Sequence, residues 1–126
     1  MDRNKINTII LDTAIEVHNY LGPGMVEFVY RTCFCKELSI RGVNFQRNVT
    51  VPVIYKNIEL DAEFKIDILV EDEVIVEIIA EDSNLNAHEA RLHSALKLTD
   101  KKVAVLLNFQ SSRIIDGYKK ITKNLH

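Results

Sequence analysis

The stretch FKIDILVEDEVIVEIIA, residues 64–80, decides the fold. Phe64, Ile66, Ile68 and Val70 alternate with Lys65, Asp67 and Leu69, and Val74, Val76, Ile78 and Ala80 alternate with Ile75, Glu77 and Ile79. Period-two alternation is a strand signal, and the acidic Glu71-Asp72-Glu73 between the two runs reads as a turn, so the segment is a β-hairpin. If both even-numbered apolar sets share a face, facing residues must have an even, constant sum, since a one-residue slip turns a whole set over. The shortest loop sets Val70 opposite Val74, which brings Asp67 opposite Glu77 and Lys65 opposite Ile79. Side chains facing each other across strands have Cβ atoms about 4.5–5.5 Å apart, so two carboxylates there repel. A divalent cation, a nearby Lys or Arg, or free exposure to water would offset that repulsion. Oxygen ligands of this kind suit Mg²⁺ or Mn²⁺; the alternative is a wet face with Lys65 as counter-charge. Leu69, Ile75 and Ile79 on the same face need cover, expected from the N-terminal helices.

Upstream, Val49, Val51, Val53 and Tyr55 form a third alternating run, and Lys56-Asn57 supplies the turn that joins it to the hairpin. The chain starts with a helix over residues 3–21, with Ile6, Ile9, Ile10, Ala14, Val17 and Leu21 at helical spacing, stopped by Gly22-Pro23-Gly24. A second helix runs over 25–41 and ends at Gly42. Downstream of the hairpin, a polar loop over 81–86 precedes a helix over 87–98 and a continuously apolar strand from Val103 to Phe109. The tail over 113–125 fits two patterns. Ile115, Gly117, Lys119 and Ile121 suit a closing strand, and Ile114, Tyr118, Ile121 and Leu125 suit a helix. The whole predicts one α/β domain over 1–126: two N-terminal helices, a three-strand meander, a crossover helix and a further strand in a mixed sheet flanked by helices.

Composition narrows the classes. The 126 residues, 47% hydrophobic and 27% charged, describe a globular chain. No apolar run approaches the roughly 18 residues of a membrane span, and the charged start MDRNKINTII does not read as a signal peptide. Cys33 and Cys35, spaced i, i+2 on a helix, point apart and read as free thiols, which suits the cytoplasm. With a net charge of −2, nothing supports tight, nonspecific nucleic-acid binding. The lysines and arginine at 101, 102, 113, 119, 120 and 123 read as solvated faces. His18 reads as a packing histidine, and His88 and His93, five apart, are poorly spaced for a shared metal.

Gly24-Met-Val-Glu27-Phe-Val-Tyr30, preceded by His18-Asn-Tyr-Leu-Gly-Pro-Gly24, resembles the pattern that names the GxxExxY family. The likeness extends through Asp67, Glu77, His88-Glu89-Ala90, Lys97-Leu98 and Leu106-Leu107-Asn108-Phe109. That family is similar to the PD-(D/E)xK nuclease superfamily, with its restriction-endonuclease-like fold. There, a helix Glu, a hairpin Asp and an E-x-K strand build a metal-dependent phosphodiesterase site. The resemblance implies Glu27, Asp67 and Glu77 as the acidic metal ligands, for Mg²⁺ or Mn²⁺ that would polarise a phosphate and activate a water. It also implies a lysine two residues past the Glu, on the same strand face, to stabilise developing charge.

Here that position is Ile79, and the helix that would carry a Gln and then a Tyr carries Arg91 and Ala95. Lys65, expected opposite Ile79, is the candidate substitute for the lysine, and Arg91 is a candidate to enter the site and pair with Glu77 or a phosphate. Glu27 near a helix start could instead be held by the helix dipole, and Tyr30 is expected to bond within the core or toward Glu27. The expectation is a nuclease-family protein with a degenerate site and weak metal binding. The alternatives are a non-catalytic nucleic-acid or nucleotide binder and a protein-interaction module, a homodimer among its forms.

Overall fold

The computed structural model describes residues 1–82 and 84–123. Helix α1 (Arg3–Leu21) and helix α2 (Glu27–Ile40) precede strands β1 (Phe45–Tyr55), β2 (Ile58–Val70) and β3 (Val74–Ile79). Helix α3 (Asn86–Leu98), strand β4 (Val103–Asn108), a 3₁₀ turn (Ile114–Gly117) and strand β5 (Tyr118–Thr122) complete the order. The sheet runs β1-β2-β3-β4-β5. Only β3 and β4 are parallel, and α3 makes the crossover between them. The tail is therefore a strand after a short turn; Leu125, part of its helical pattern, lies outside the described residues.

Local signals set the boundaries. Asp2 caps α1 by accepting from the Lys5 N–H at 2.9 Å. The helix stops at Gly22, whose φ of 68° only glycine adopts freely and whose N–H bonds His18 O. Lys56 and Asn57 both take positive φ, the requirement of a two-residue hairpin turn with the twist of its strands. Glu71 and Asp72 also take positive φ in the three-residue loop, and Val70 pairs with Val74 as the alternation requires.

The sheet is covered on both faces. On one, Ile6, Ile10, Tyr30, Phe34 and Leu38 of α1 and α2 pack on Ile68, Val70, Val76, Ile78, Val105 and Leu107. On the other, Leu92, Ala95 and Leu96 of α3 pack on Leu69, Ile75, Ile79, Ala104 and Leu106. Leu69, Ile75 and Ile79 are thus covered by α3, not by the N-terminal helices, because the crossover returns over that face. Every residue of β3 and β4 is buried. Among the described residues no helix is long and apolar enough to cross a membrane.

The alternation of β2 holds only in halves. Ile68 and Val70 face α1 and α2, while Ile66 and Phe64 face α3. The change of face falls at Asp67, whose would-be partner on β1 is Asn48, at a φ of 53°. The β1–β2 ladder skips that pair yet resumes in the same register, with Arg47 on Ile68 and Val49 on Ile66. A left-handed residue interrupts the pleat, so each strand restarts its alternation on the other side.

Candidate active site

Strands β2 and β3 pair only over Ile68–Val70 and Val74–Val76. Past Val76 they part, so Asp67 and Glu77, and likewise Lys65 and Ile79, are not ladder partners as the sequence register implied. The opening is a cleft of about 320 Å³, to which α2, α3 and the Asn48 kink all contribute. Backbone groups left by the ladder must find other partners, and side chains supply them.

From the α2 side comes Arg31. Its Nε lies 2.7 Å from Asp67 Oδ1, although the N–H is not aimed at that oxygen, so the contact is electrostatic. Its Nη2 donates to Ile78 O at 3.3 Å. Asp67 Oδ2 accepts from the Ile78 N–H at 3.2 Å, so this carboxylate does the work of a missing strand partner. Glu27, first residue of α2, stands 3.7 Å from Arg31 and is about half exposed. Tyr30 sets the start of that helix. It stacks on Phe109 with centroids 4.6 Å apart, while its hydroxyl donates to Gly22 O at 2.5 Å and accepts from the Met25 N–H at 3.1 Å. The tyrosine of the Gly-x-x-Glu-x-x-Tyr pattern therefore ties down the turn ahead of Glu27 and does not bond Glu27 itself.

From the α3 side come Arg91 and His88. Arg91 Nη1 donates to Glu77 Oε1 at 2.5 Å and Nη2 to Lys65 O at 2.6 Å, with the guanidinium 4.6 Å above the Phe64 ring. His88 Nδ1 lies 3.1 Å from Glu77 Oε2, and Nε2 lies 2.5 Å from Glu81 Oε2. Asn108 fixes the Glu81 backbone, accepting from its N–H at 3.1 Å and donating to its carbonyl at 2.8 Å. Glu77 is only 8% exposed. Burial pushes its carboxyl above the ordinary carboxylate range, Arg91 and then His88 pull it down, and the charge of Asp67 adds to the push.

Glu27, Asp67, Glu77, Lys65 and Arg91 thus all line one cleft. Lys65 is exposed, with no ion pair among the described residues. Ile79 is 1% exposed and belongs to the apolar layer under α3, with Ala95 beside it at 0%. Sequence reasoning passed over Arg31, Glu81, Asn48 and Asn108. Arg31 carried a usable signal, one helical turn beyond Glu27. His88 was weighed only against His93, whereas its partners are two carboxylates.

A profile of the PD-(D/E)XK nuclease superfamily matches residues 4–121. The chain belongs to this superfamily. No curated protein matches the sequence. Among solved structures, the crystal structure of SSO0001 is similar, with a TM-score of 0.61 and 16% identity over 79% of this chain and 52% of that one. This likeness shows the fold, and the chain spans about half the length of that protein. The five-strand mixed sheet between helices is the restriction-endonuclease-like architecture of PD-(D/E)XK domains.

PD-(D/E)XK nucleases generally use divalent metals. Such ions need free carboxylate oxygens at about 2.0–2.6 Å. In this cleft each oxygen of Asp67 and Glu77 already has a nitrogen against it: Arg31 at 2.7 Å and the Ile78 N–H at 3.2 Å on one, Arg91 at 2.5 Å and His88 at 3.1 Å on the other. Among the described residues no three acidic, His or Cys side chains gather as a metal site does. So arranged, the donor set does not fit a divalent ion.

Proposed function

We propose that this PD-(D/E)XK domain is of the GxxExxY type and that its phosphodiesterase site is degenerate, cleaving nucleic acid weakly or not at all. The observation that supports this is the place of Ile79. The residue two beyond Glu77 packs in the apolar layer under α3 and meets the cleft only with an aliphatic surface, which can neither orient a water nor stabilise a developing negative charge. Losing one such stabilising group costs about 10²–10³ in rate. Lys65 at the cleft is the residue that would supply any remaining charge stabilisation.

The test is incubation of the purified chain with single- and double-stranded DNA and RNA in millimolar Mg²⁺ or Mn²⁺. The expected outcome is intact substrate, or slow cleavage abolished by both Lys65→Ala and Asp67→Asn. Fast cleavage that survives Lys65→Ala and Arg91→Ala would overturn the reading.

A second reading, an interaction module that pairs with another copy of itself, draws on the far end of the β1–β2 arm. Ile54, Tyr55, Ile58 and Leu60 are all large, apolar and exposed there, beyond the part of the arm that α3 covers. Sedimentation equilibrium distinguishes it: a dimer dispersed by Ile58→Lys supports it, and a monomer at high concentration removes it.

A further inference from the structure

The two arginines of the cleft share a geometry that neither strand pairing nor helix packing requires. Arg31 reaches from α2 to a carboxylate on β2 (Asp67) and a backbone carbonyl on β3 (Ile78). Arg91 reaches from α3, on the opposite face of the sheet, to a carboxylate on β3 (Glu77) and a backbone carbonyl on β2 (Lys65). Each guanidinium therefore spans the same opening between the same two strands, and the two do so in opposite senses, one from each side.

We infer that Arg31 and Arg91 together are a built-in substitute for a divalent cation: they neutralise Asp67 and Glu77, hold the parted strands at a fixed separation, and exclude metal from the cleft. The charge balances, since two guanidiniums carry the same +2 as one Mg²⁺ against the same two carboxylates. A planar guanidinium offers several donors in a rigid fork: Arg91 donates to the Glu77 carboxylate and the Lys65 carbonyl at once, whereas Arg31 donates to the Ile78 carbonyl and meets Asp67 by charge alone. A metal bound by the same carboxylates would have to displace these donors, so metal and arginine compete for one set of oxygens. The pairs are not deep in the protein: side-chain exposure is 20% for Arg31 and 40% for Arg91, against 14% for Asp67 and 10% for Glu77. The inference deepens the proposed degeneracy of the site, but its test reads metal occupancy and not cleavage, so the two can fail separately.

The experiment compares the wild-type chain with Arg31→Gln, Arg91→Gln and the double variant. Mn²⁺ binding is followed by electron paramagnetic resonance of free Mn²⁺, and thermal midpoints are recorded with and without millimolar Mn²⁺. The wild-type chain is expected to leave Mn²⁺ free and to keep its midpoint unchanged. The double variant should have a lower midpoint in chelator, recover part of it in Mn²⁺, and bind Mn²⁺ at least tenfold more tightly than wild type. Asp67→Asn in that background should abolish the gain. Either single variant should show a smaller gain, which keeps the inference testable if the double variant does not fold. Wild-type binding as tight as that of the variants overturns it, as does a folded variant in which freeing either carboxylate produces no Mn²⁺ affinity.

Discussion

On the α2 side of the split, Asp67 answers to one guanidinium and one backbone N–H, with Glu27 standing loosely behind. On the α3 side, Glu77 belongs to a chain of contacts that runs from the Lys65 carbonyl through Arg91, Glu77 and His88 to Glu81 and Asn108. The carboxylates bear the same charge and are almost equally covered, yet their surroundings differ, and burial is what raises the pKa of Glu77. It stands on a strand with apolar neighbours on both faces, whereas Asp67 sits at the kink where β2 changes face. Where an acid meets the sheet therefore governs what it does: the one at the kink replaces a strand partner, and the one on the buried strand needs a network to remain charged.

The sharpest way to break this comparison lies just behind the α3 side. Ile79→Lys would set an ammonium among Leu92, Ala95 and Leu96. An uncompensated buried charge costs about 3–5 kcal/mol, so urea unfolding should show a midpoint collapse or no folded protein. Ala95→Tyr, at a site with no exposure, should add overpacking of about 1–3 kcal/mol. Installing the lysine and tyrosine of the resembled pattern is thus expected to cost the fold before it returns cleavage. If Ile79→Lys instead unfolds like wild type, its stem runs along the cleft that Ile79 already lines and carries the ammonium out to the carboxylates, and the cost assigned to the apolar layer fails.

A smaller effect sharpens the comparison through pH. A carboxyl with a raised folded-state pKa binds its proton more tightly in the folded protein. Its contribution to stability is therefore fully present below the unfolded value of 4.5 and is lost as pH rises through the raised folded value. Glu77→Gln, which keeps an acceptor for Arg91 but never ionises, lacks this dependence. The stability advantage of wild type over Glu77→Gln should grow as pH falls through that window, by about 1 kcal/mol per unit of pKa displacement. An advantage that shrinks on acidification would mean that Arg91 and His88 outweigh burial at Glu77.

How much of this was legible depended on periodicity. The hairpin, its three-residue loop, the crossover helix and the buried β4 follow from apolar spacing, which backbone geometry fixes directly. The face change at Asp67 does not, because alternation reads the same on either side of a kink and its cause, a left-handed Asn48, carries no strong sequence mark. The same kink explains why Asp67 and Glu77 line one cleft without facing each other across a ladder. From the sequence, Arg91 is a candidate partner of Glu77 or a phosphate, and it donates to Glu77; that its helix also covers Leu69, Ile75 and Ile79, where the N-terminal helices are expected, does not follow from spacing. Arg31 escaped notice because Glu27 drew attention to the helix start and not to the turn beyond it.

Cys35 offers the finest probe, because it senses one side of the split and not the other. The thiol is buried on α2, and burial pushes its pKa from 9.0 up to about 11; Arg47 lowers it, Asp67 raises it and Arg31 lowers it, in that order of size. Glu77 has no part in that balance. The thiolate is the reacting species, so at pH 8 the shift alone should slow alkylation about 100-fold relative to a thiol of pKa 9.0. Half-buried Cys33 provides an internal reference on the same helix. Asp67→Asn removes a charge that raises the thiol pKa and releases Arg31 to lower it, so alkylation of Cys35, followed by mass spectrometry, should quicken slightly. Glu77→Gln should leave the rate where it was. Equal acceleration in both variants would mean that the two sides open together, and that the arginines hold one coupled structure in place of two adjoining ones.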